Sequence, residues 1–363
     1  MKVFKIGFIA VLLLCTVSFS FAQDYFPDIP QHKTLICDFH THTVFSDGSV
    51  WPTVRVDEAA REGLDAVALS DHIEYQPHKN DVPTNHSRPF EIAKQGAREK
   101  NILLIKAAEI TRDTPPGHYN ALYLDDIDLL DTPEFLEVIE NANQQKAFVF
   151  WNHHSWKGEQ RGRWMDVQTT MYDKKWLHGM EVANGGSYYP KAHQWCLDKN
   201  LTMLGNSDIH APSLDYQYTA KDHRTLTLVF AAERTVESIK EALFAERTAV
   251  WHENQLIGRA EYLKPLFDRC VTVSKPHYVN RKNTAFFEVA NNALIDLELK
   301  RTGKSGPAAL TLPARSTIIA RVNLSDDRKA VKLSYTVSNF LIAPEKGLPV
   351  EFTLSVKEKQ GTF

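Results

Sequence analysis

Short apolar runs of strand length recur along the first two thirds of the chain, and one after another ends in histidine, aspartate or glutamate. Thr34-Leu-Ile-Cys37 leads into Asp38-Phe-His40-Thr-His42, and Leu64-Asp-Ala-Val-Ala-Leu69 into Ser70-Asp71-His72. Ile102-Leu-Leu-Ile105 is followed by Ala108-Glu109-Ile110, Ala147-Phe-Val-Phe150 by Trp151-Asn-His153-His154, and Leu201-Thr-Met-Leu204 by Gly205-Asn-Ser-Asp208-Ile-His210. Further strands are expected at 119–124, 179–182 and 226–230, and helical patterns at 51–62, 90–100, 134–144, 189–200 and 235–246. Strands alternating with helices specify an α/β fold with a parallel sheet. A doubly wound open sheet gathers its ligands at one switch point. Polar residues at so many carboxyl ends favour barrel-like closure, where those ends form one rim.

Strand residues two apart share a face, so His40 and His42 present both rings to one point, and Asp47 beside Gly48 can turn a carboxylate toward it. The polar residues that follow strands are His40, His42, Asp47, His72, Glu109, His118, His153, Asp208 and His210. Each has an ordinary explanation as a cap or a hydrogen-bonded group. Together on one rim they make a polynuclear metal site. Nitrogen and oxygen donors without thiolate suit zinc, manganese or iron.

The order His40-Thr-His42, Ser46-Asp47-Gly48, Ser70-Asp-His72, Glu109, His118, His153 and Asp208-Ile-His210 resembles the PHP (polymerase and histidinol phosphatase) superfamily of metal-dependent phosphoesterases. The resemblance covers about residues 34–253. Within it, Glu109-Ile-Thr-Arg-Asp-Thr-Pro-Pro-Gly-His118, Trp151-Asn-His-His154 and Gly179-Met-Glu-Val-Ala-Asn184 look like exported Sb-PDE-type phosphodiesterases. The resemblance implies a distorted (β/α)7 PHP barrel holding two to three divalent metal ions. By motif, one ion takes His40, His42, Glu109 and Asp208; a second shares Glu109 and adds His118 and His153; a third takes Asp47, His72 and His210. Family members often carry His or Glu near Asp47, and Pro where this chain has His154.

The chemistry so implied is hydrolysis of a small phosphodiester by a metal-bridged hydroxide, with Glu109 bridging and Asp47 also at the reacting centre. Arg112 is the first candidate for a phosphate clamp, ahead of Lys157, Arg161 and Arg163. His154 and His78 are candidates for protonating the leaving group. Asp38 and Asp71 flank ligand histidines and are placed to orient them. Trp151, Trp156 and Trp164 are candidates for a pocket wall or for core packing. A phosphomonoesterase of the sugar-phosphate or histidinol-phosphate type is the nearest alternative. An amidohydrolase-like C–N or ester hydrolase is another, although such sites usually bridge their metals with a lysine.

From about residue 271 the pattern changes. Segments 284–289, 295–299, 308–312, 317–322, 331–337 and 350–356 alternate apolar with polar residues and are separated by Gly, Pro, Asn and Asp. That pattern predicts a small antiparallel β-sandwich over residues 271–363, an accessory domain without a His/Asp cluster, after a hydrolase barrel over 23–270.

The first residues read as an export signal of residues 1–22. Lys2 and Lys5 precede an apolar run, and Ser20-Phe-Ala22 offers a small-x-small cleavage site before Gln23. A membrane anchor needs about 20 apolar residues, more than this run supplies, so no stable membrane insertion is expected after cleavage. The expected location is periplasmic or secreted. Loss of two lysines makes the formal net charge of −3 more negative, which disfavours nucleic acid as a partner. Cys37, Cys196 and Cys270 are too few and too scattered for a disulfide framework.

Overall fold

The structure is a computed structural model that describes residues 25–82, 85–216, 223–324 and 330–355. The expected export signal of residues 1–22 lies outside the described residues. Among the described residues, no helix is long and apolar enough to cross a membrane.

The first region contains strands β1 (Lys33–Asp38), β2 (Ala66–Leu69), β3 (Leu103–Ile110), β4 (Tyr119–Leu122), β5 (Phe148–Trp151) and β6 (Gly179–Asn184). It continues with β7 (Ser187–Tyr188), β8 (Thr202–Asn206), β9 (Leu226–Ala231), β10 (Thr248–His252) and β11 (Gln255–Gly258). Helices α1 (Pro52–Arg61), α2 (Arg88–Glu99), α3 (Phe135–Gln144), α4 (Asp166–Asp173), α5 (Pro190–Lys199), α6 (Val236–Phe244) and α7 (Ala260–Cys270) lie between and after them. The sequence pattern anticipated α1, α2, α3, α5 and α6 but not α4, α7, β7, β10 or β11. α7 carries Pro265 in its interior, which masks its helical signature.

Strands β2, β5, β6, β8 and β9 are buried along their whole length, which is why they read as continuous apolar runs rather than alternating ones. Their neighbours in the sheet run in the order β9–β1–β2–β3–β4–β5–β6–β8. The sheet is mixed rather than parallel throughout. Pairs β1/β2, β2/β3, β5/β6 and β6/β8 are parallel, whereas β3/β4, β4/β5 and β1/β9 are antiparallel. The link from Ile110 to Tyr119 explains the first reversal, because a parallel return needs a crossover of a dozen or more residues.

β8 meets β9 through a side chain. The Thr227 hydroxyl accepts from Gly205 N at 3.0 Å and donates to Gly205 O at 2.8 Å. A β-carbon on Gly205 would lie 2.2 Å from Val250 Cγ1, so the close approach depends on glycine.

The second region contains β12 (Val271–Val273), β13 (Tyr278–Val279), β14 (Thr284–Asn291), β15 (Leu297–Arg301), β16 (Ala309–Leu312), β17 (Ser316–Asn323), β18 (Ala330–Ala343) and β19 (Lys346–Ser355). One layer is β12, β13 and β17 around β14; the other is β16–β15–β18 with β19. Phe287, Val289 and Val322 from the first layer share one buried core with Leu299, Leu333 and Val350 from the second. This is the expected antiparallel sandwich. Its second layer is also joined to the first region, since β11 and β18 pair in parallel at Leu256↔Phe340 and Ile257↔Leu341.

Candidate metal centre

β1 ends at Asp38, and the next residues place His40 and His42 over the carboxyl end of the sheet. Two backbone bonds fasten this segment to the one after β8: Asp208 N to His40 O at 2.9 Å and His42 N to Ile209 O at 3.1 Å. Asp208 adopts a left-handed backbone conformation (φ 53°), which aspartate tolerates better than most residues. His72, just beyond β2, is bridged to Glu109 of β3.

Buried polar groups set the ligand rings. His40 Nδ1 donates to Glu181 Oε1 at 2.9 Å, leaving Nε2 to face Asp208 Oδ1 at 3.2 Å and Glu109 Oε2 at 3.3 Å. Asp71 accepts from Thr43 N (2.7 Å), Thr43 Oγ1 (2.8 Å) and Ser46 Oγ (2.7 Å), folding the loop that carries Asp47. Ser46 Oγ lies 3.3 Å from His42 Nδ1, so His42 turns Nε2 toward Asp208 Oδ1 at 3.0 Å. Asp38 accepts from Ser207 N and Ser207 Oγ, anchoring the segment before Asp208. Both acids therefore brace the ligand loops, whereas the expected orienting of the rings falls to Glu181 and Ser46.

Glu109 stands at the centre. Its Oε2 is 2.8 Å from His72 Nδ1 and 3.4 Å from His42 Nε2; its Oε1 is 2.9 Å from His118 Nδ1 and 3.7 Å from His153 Nε2. Asn152 Nδ2 donates to Oε1 at 3.0 Å. At the rim, Asp47 Oδ1 lies 3.1 Å from His210 Nε2 and 3.4 Å from His72 Nε2. Burial opposes the charged forms, but proximity outweighs it. The carboxylates of Glu109 and Asp47 hold His72 up at about 10, and the surrounding histidines keep Glu109, Asp47 and Asp208 well below the usual carboxylate range. His42, buried and beside His72, is instead pushed down to about 3.

The donor atoms fall into overlapping groups within 4.8 Å: His42, Asp47, His72 and His210; His40, His153 and Asp208; His40, His42 and Glu109; and His72, Glu109 and His118. Every expected ligand is thus at the cluster. The grouping departs from the motif-based partition in that His72 reaches Glu109 as well as Asp47, and His153 reaches Asp208. His40 Nε2, Asp47 Oδ1 and Glu109 Oε2 are buried and lack a hydrogen-bond partner among the described residues. Inward lone pairs left over after the second ring nitrogen is bonded are what divalent cations require, and the donor set fits them.

Two expected catalytic residues are elsewhere. Arg112 is taken up by Glu74, by Thr132 O at 2.8 Å and by Thr111 O at 3.1 Å, so its fork is spent on the fold and not on a phosphate. His154 donates from Nδ1 to Gly162 O at 2.7 Å and packs among Trp151, Tyr189 and Trp195, outside the cleft, so it is not placed to protonate a leaving group. His153 and His154 lie in the turn beyond β5, closed by Trp156 N to His153 O at 3.0 Å, and this turn carries the two rings to different surroundings. Lys157 and Arg161 pair with Asp113, and His78 is exposed outside the cleft. Of the three tryptophans, Trp156 lines the cleft, whereas Trp151 and Trp164 pack with Trp195.

The cluster opens into a cleft of about 1000 Å³ whose further lining includes Asn184, Tyr189, Tyr216, Arg224, Glu253 and Asn254. Sequence reasoning did not assign Glu181, Asn152 or Arg224. Glu181 had left a signal: it is the one carboxylate in the apolar run Gly179-Met-Glu-Val182.

Residues 271–353 match a family model described as an Ig-like domain. Over 142 residues the chain is 27% identical to an uncharacterized protein of Methanocaldococcus jannaschii, a match that spans 31% of this chain and 65% of that relative's length. The fold is similar to a crystal structure from Bacteroides vulgatus, described as a two-domain protein containing a predicted PHP-like metal-dependent phosphoesterase. It has 43% sequence identity, covers 91% of this chain and 97% of that one, and has a TM-score of 0.87. Likeness at that level over both regions, with the His/Asp/Glu cluster in place, makes this chain a member of the PHP-like metal-dependent phosphoesterase family.

Proposed function

We propose that the protein hydrolyses phosphodiesters. The carrying observation is the scarcity of cationic side chains in the cleft. Among the described residues, Arg224 is the one arginine in the lining, it is already paired with Asp38 and Glu62, and no lysine lines the cleft. A phosphomonoester brings a second negative charge that this lining does not meet, whereas a diester brings one. The same lack of a lysine weighs against an amidohydrolase-type reaction.

His40, His42, Glu109 and Asp208 would hold one cation, Glu109, His118 and His153 a second, and Asp47, His72 and His210 a third, with His72 and His153 also within reach of the neighbouring groups. Bound there, such cations acidify water and neutralise phosphoryl oxygens. The chain's own contribution is to place them: Glu181 fixes His40, Ser46 fixes His42, and Asn152 fixes Glu109.

We read the first region as the distorted (β/α)7 barrel of the family, spanning residues 23–270, with the accessory domain over 271–363. We also read the protein as exported, on the strength of Lys2, Lys5 and the Ser20-Phe-Ala22 site; N-terminal sequencing of the mature protein should begin at Gln23.

Purified protein assayed on bis- and mono-(p-nitrophenyl) phosphate tests the main reading. Diester turnover should exceed monoester turnover, and Glu109→Gln should lower it by more than about a hundredfold, since even residues behind the ligands contribute about 10–100-fold. Faster monoester cleavage would overturn the proposal.

A further inference from the structure

Trp156 is a large apolar side chain in the cleft for which cation binding supplies no role. Its indole lines the cleft, the residue is 51% exposed, and its ring stands 5.5 Å from that of His118 and 5.8 Å from that of His153, centroid to centroid. Two loops hold it there. Trp156 N donates to His153 O at 3.0 Å, and Lys157 Nζ lies 4.6 Å over the indole while donating to Asp113 Oδ1 at 2.8 Å. Arg161 Nε donates to Thr114 O at 2.7 Å, a second tie between the loop before His118 and the loop after His153. The indole is therefore ordered before any ligand arrives, and little freedom is left to lose on binding.

A phosphodiester held beside His118 and His153 has this indole as a neighbouring wall. Covering exposed apolar surface is favourable in proportion to its area, whatever the covering group. Charge does not choose that group: among the described residues no lysine lines the cleft, and the one lining arginine, Arg224, is already paired with Asp38 and Glu62. Ring chemistry does choose. The negative face and positive edge of an indole attract a second aromatic ring, offset-stacked or edge to face, beyond what area supplies. A saturated ring of the same carbon count gains from area alone.

We propose that Trp156 is a specificity-determining residue that receives an aromatic ring carried by one substituent of the phosphodiester. The proposal rests on the phosphodiesterase reading and names the substrate class that reading leaves open.

Competition against bis-(p-nitrophenyl) phosphate cleavage by the metal-loaded protein tests it, with dibenzyl phosphate and bis(cyclohexylmethyl) phosphate as competitors. Both are symmetric, so the same ring is presented whichever substituent lies against Trp156. The saturated rings bury at least as much apolar area, so area alone predicts that bis(cyclohexylmethyl) phosphate competes as well or better. Dibenzyl phosphate should instead give an inhibition constant about two- to tenfold lower. Trp156→Ala should abolish that preference and Trp156→Phe should keep most of it, each with metal content retained. The ratio of the two inhibition constants does not depend on how well a variant binds the assay substrate. Thymidylyl-thymidine as a further competitor separates the sources of the ring: tighter competition than dibenzyl phosphate would make it a nucleobase, weaker competition a simple aryl group, and both agree with the proposal. A wild-type preference that is absent or reversed, or an undiminished preference in metal-replete Trp156→Ala, would overturn the role of Trp156 alone. If Trp156→Ala loses metal, the wild-type ratio decides. Failure to cleave bis-(p-nitrophenyl) phosphate would overturn the phosphodiesterase reading, and the role of Trp156 with it.

Discussion

His40 Nδ1 and Glu181 Oε1 lie 2.9 Å apart in a fully buried pair behind the metal-facing nitrogen. Glu181 also accepts from His153 N at 2.8 Å, Asn184 Nδ2 at 2.8 Å and Asn206 Nδ2 at 2.9 Å, so one carboxylate ties together segments from β5, β6 and β8. Glu181→Gln should keep the fold and weaken metal affinity by about 10–100-fold. Chelator competition measures this, and unaltered affinity would remove Glu181 from that role.

Gly48 packs against the backbone of His42. A β-carbon there would come within 2.6 Å of His42 C and 2.7 Å of Thr43 N, and backbone cannot yield as a flexible side chain can. Gly48→Ala should cost about 1–3 kcal/mol in urea unfolding and displace Asp47 from His72 and His210. A variant with wild-type stability and metal content would contradict this.

Removal of metal should lower thermal stability, because a cation held by ligands that only the folded chain gathers stabilises the folded state alone. Adding back a divalent ion at about 100 times its Kd should restore about 2.7 kcal/mol. Scanning calorimetry of stripped and reloaded protein would show the shift; identical transitions would argue against binding in the folded state.

His178 is held neutral by burial, which pushes it down to about 4, and its Nδ1 accepts from Val149 N at 3.0 Å. The unfolded chain takes up a proton near pH 6.5, the folded chain near 4. Stability from this group is therefore intact above about pH 6.5, falls as pH drops through the window, and levels off below about 4. The loss is at most about 3 kcal/mol, and less because the ring is partly exposed. His178→Gln, which keeps an acceptor for Val149, should flatten urea-unfolding stability between pH 6.5 and 4 relative to wild type; an equal slope would exclude His178 as a source.

Asn339 joins the two regions by donating to Asn254 O at 2.8 Å and Asp296 O at 2.7 Å, and by accepting from Glu298 N at 3.1 Å. Asn339→Ala leaves those half-buried groups to water and should cost about 1 kcal/mol. Equilibrium urea unfolding reads it, and a cost near zero would mean the β11/β18 pairing alone holds the junction.

The cluster was legible in the sequence because each ligand is local to a strand end. His40 and His42 share a face by strand period, and Asp208 and His210 repeat the arrangement after β8. The alternating segments after residue 271 announced the sandwich in the same way. Period, length and residue type are properties of a short stretch of chain, so the sequence by itself determined an α/β region with a His/Asp/Glu rim and a second all-β region. Direction and partnership are not local. Only the tertiary structure decided that β4 and β9 run antiparallel to their neighbours, that Arg112 is consumed by Glu74 and Thr132, and that His154 turns into an aromatic core while His153 turns to His40 and Asp208 in the ligand cluster. The same holds for Arg224, whose partners Asp38 and Glu62 stand 186 and 162 residues away along the chain. A side chain's role there depends on which distant groups have already satisfied its donors, and packing alone settles that.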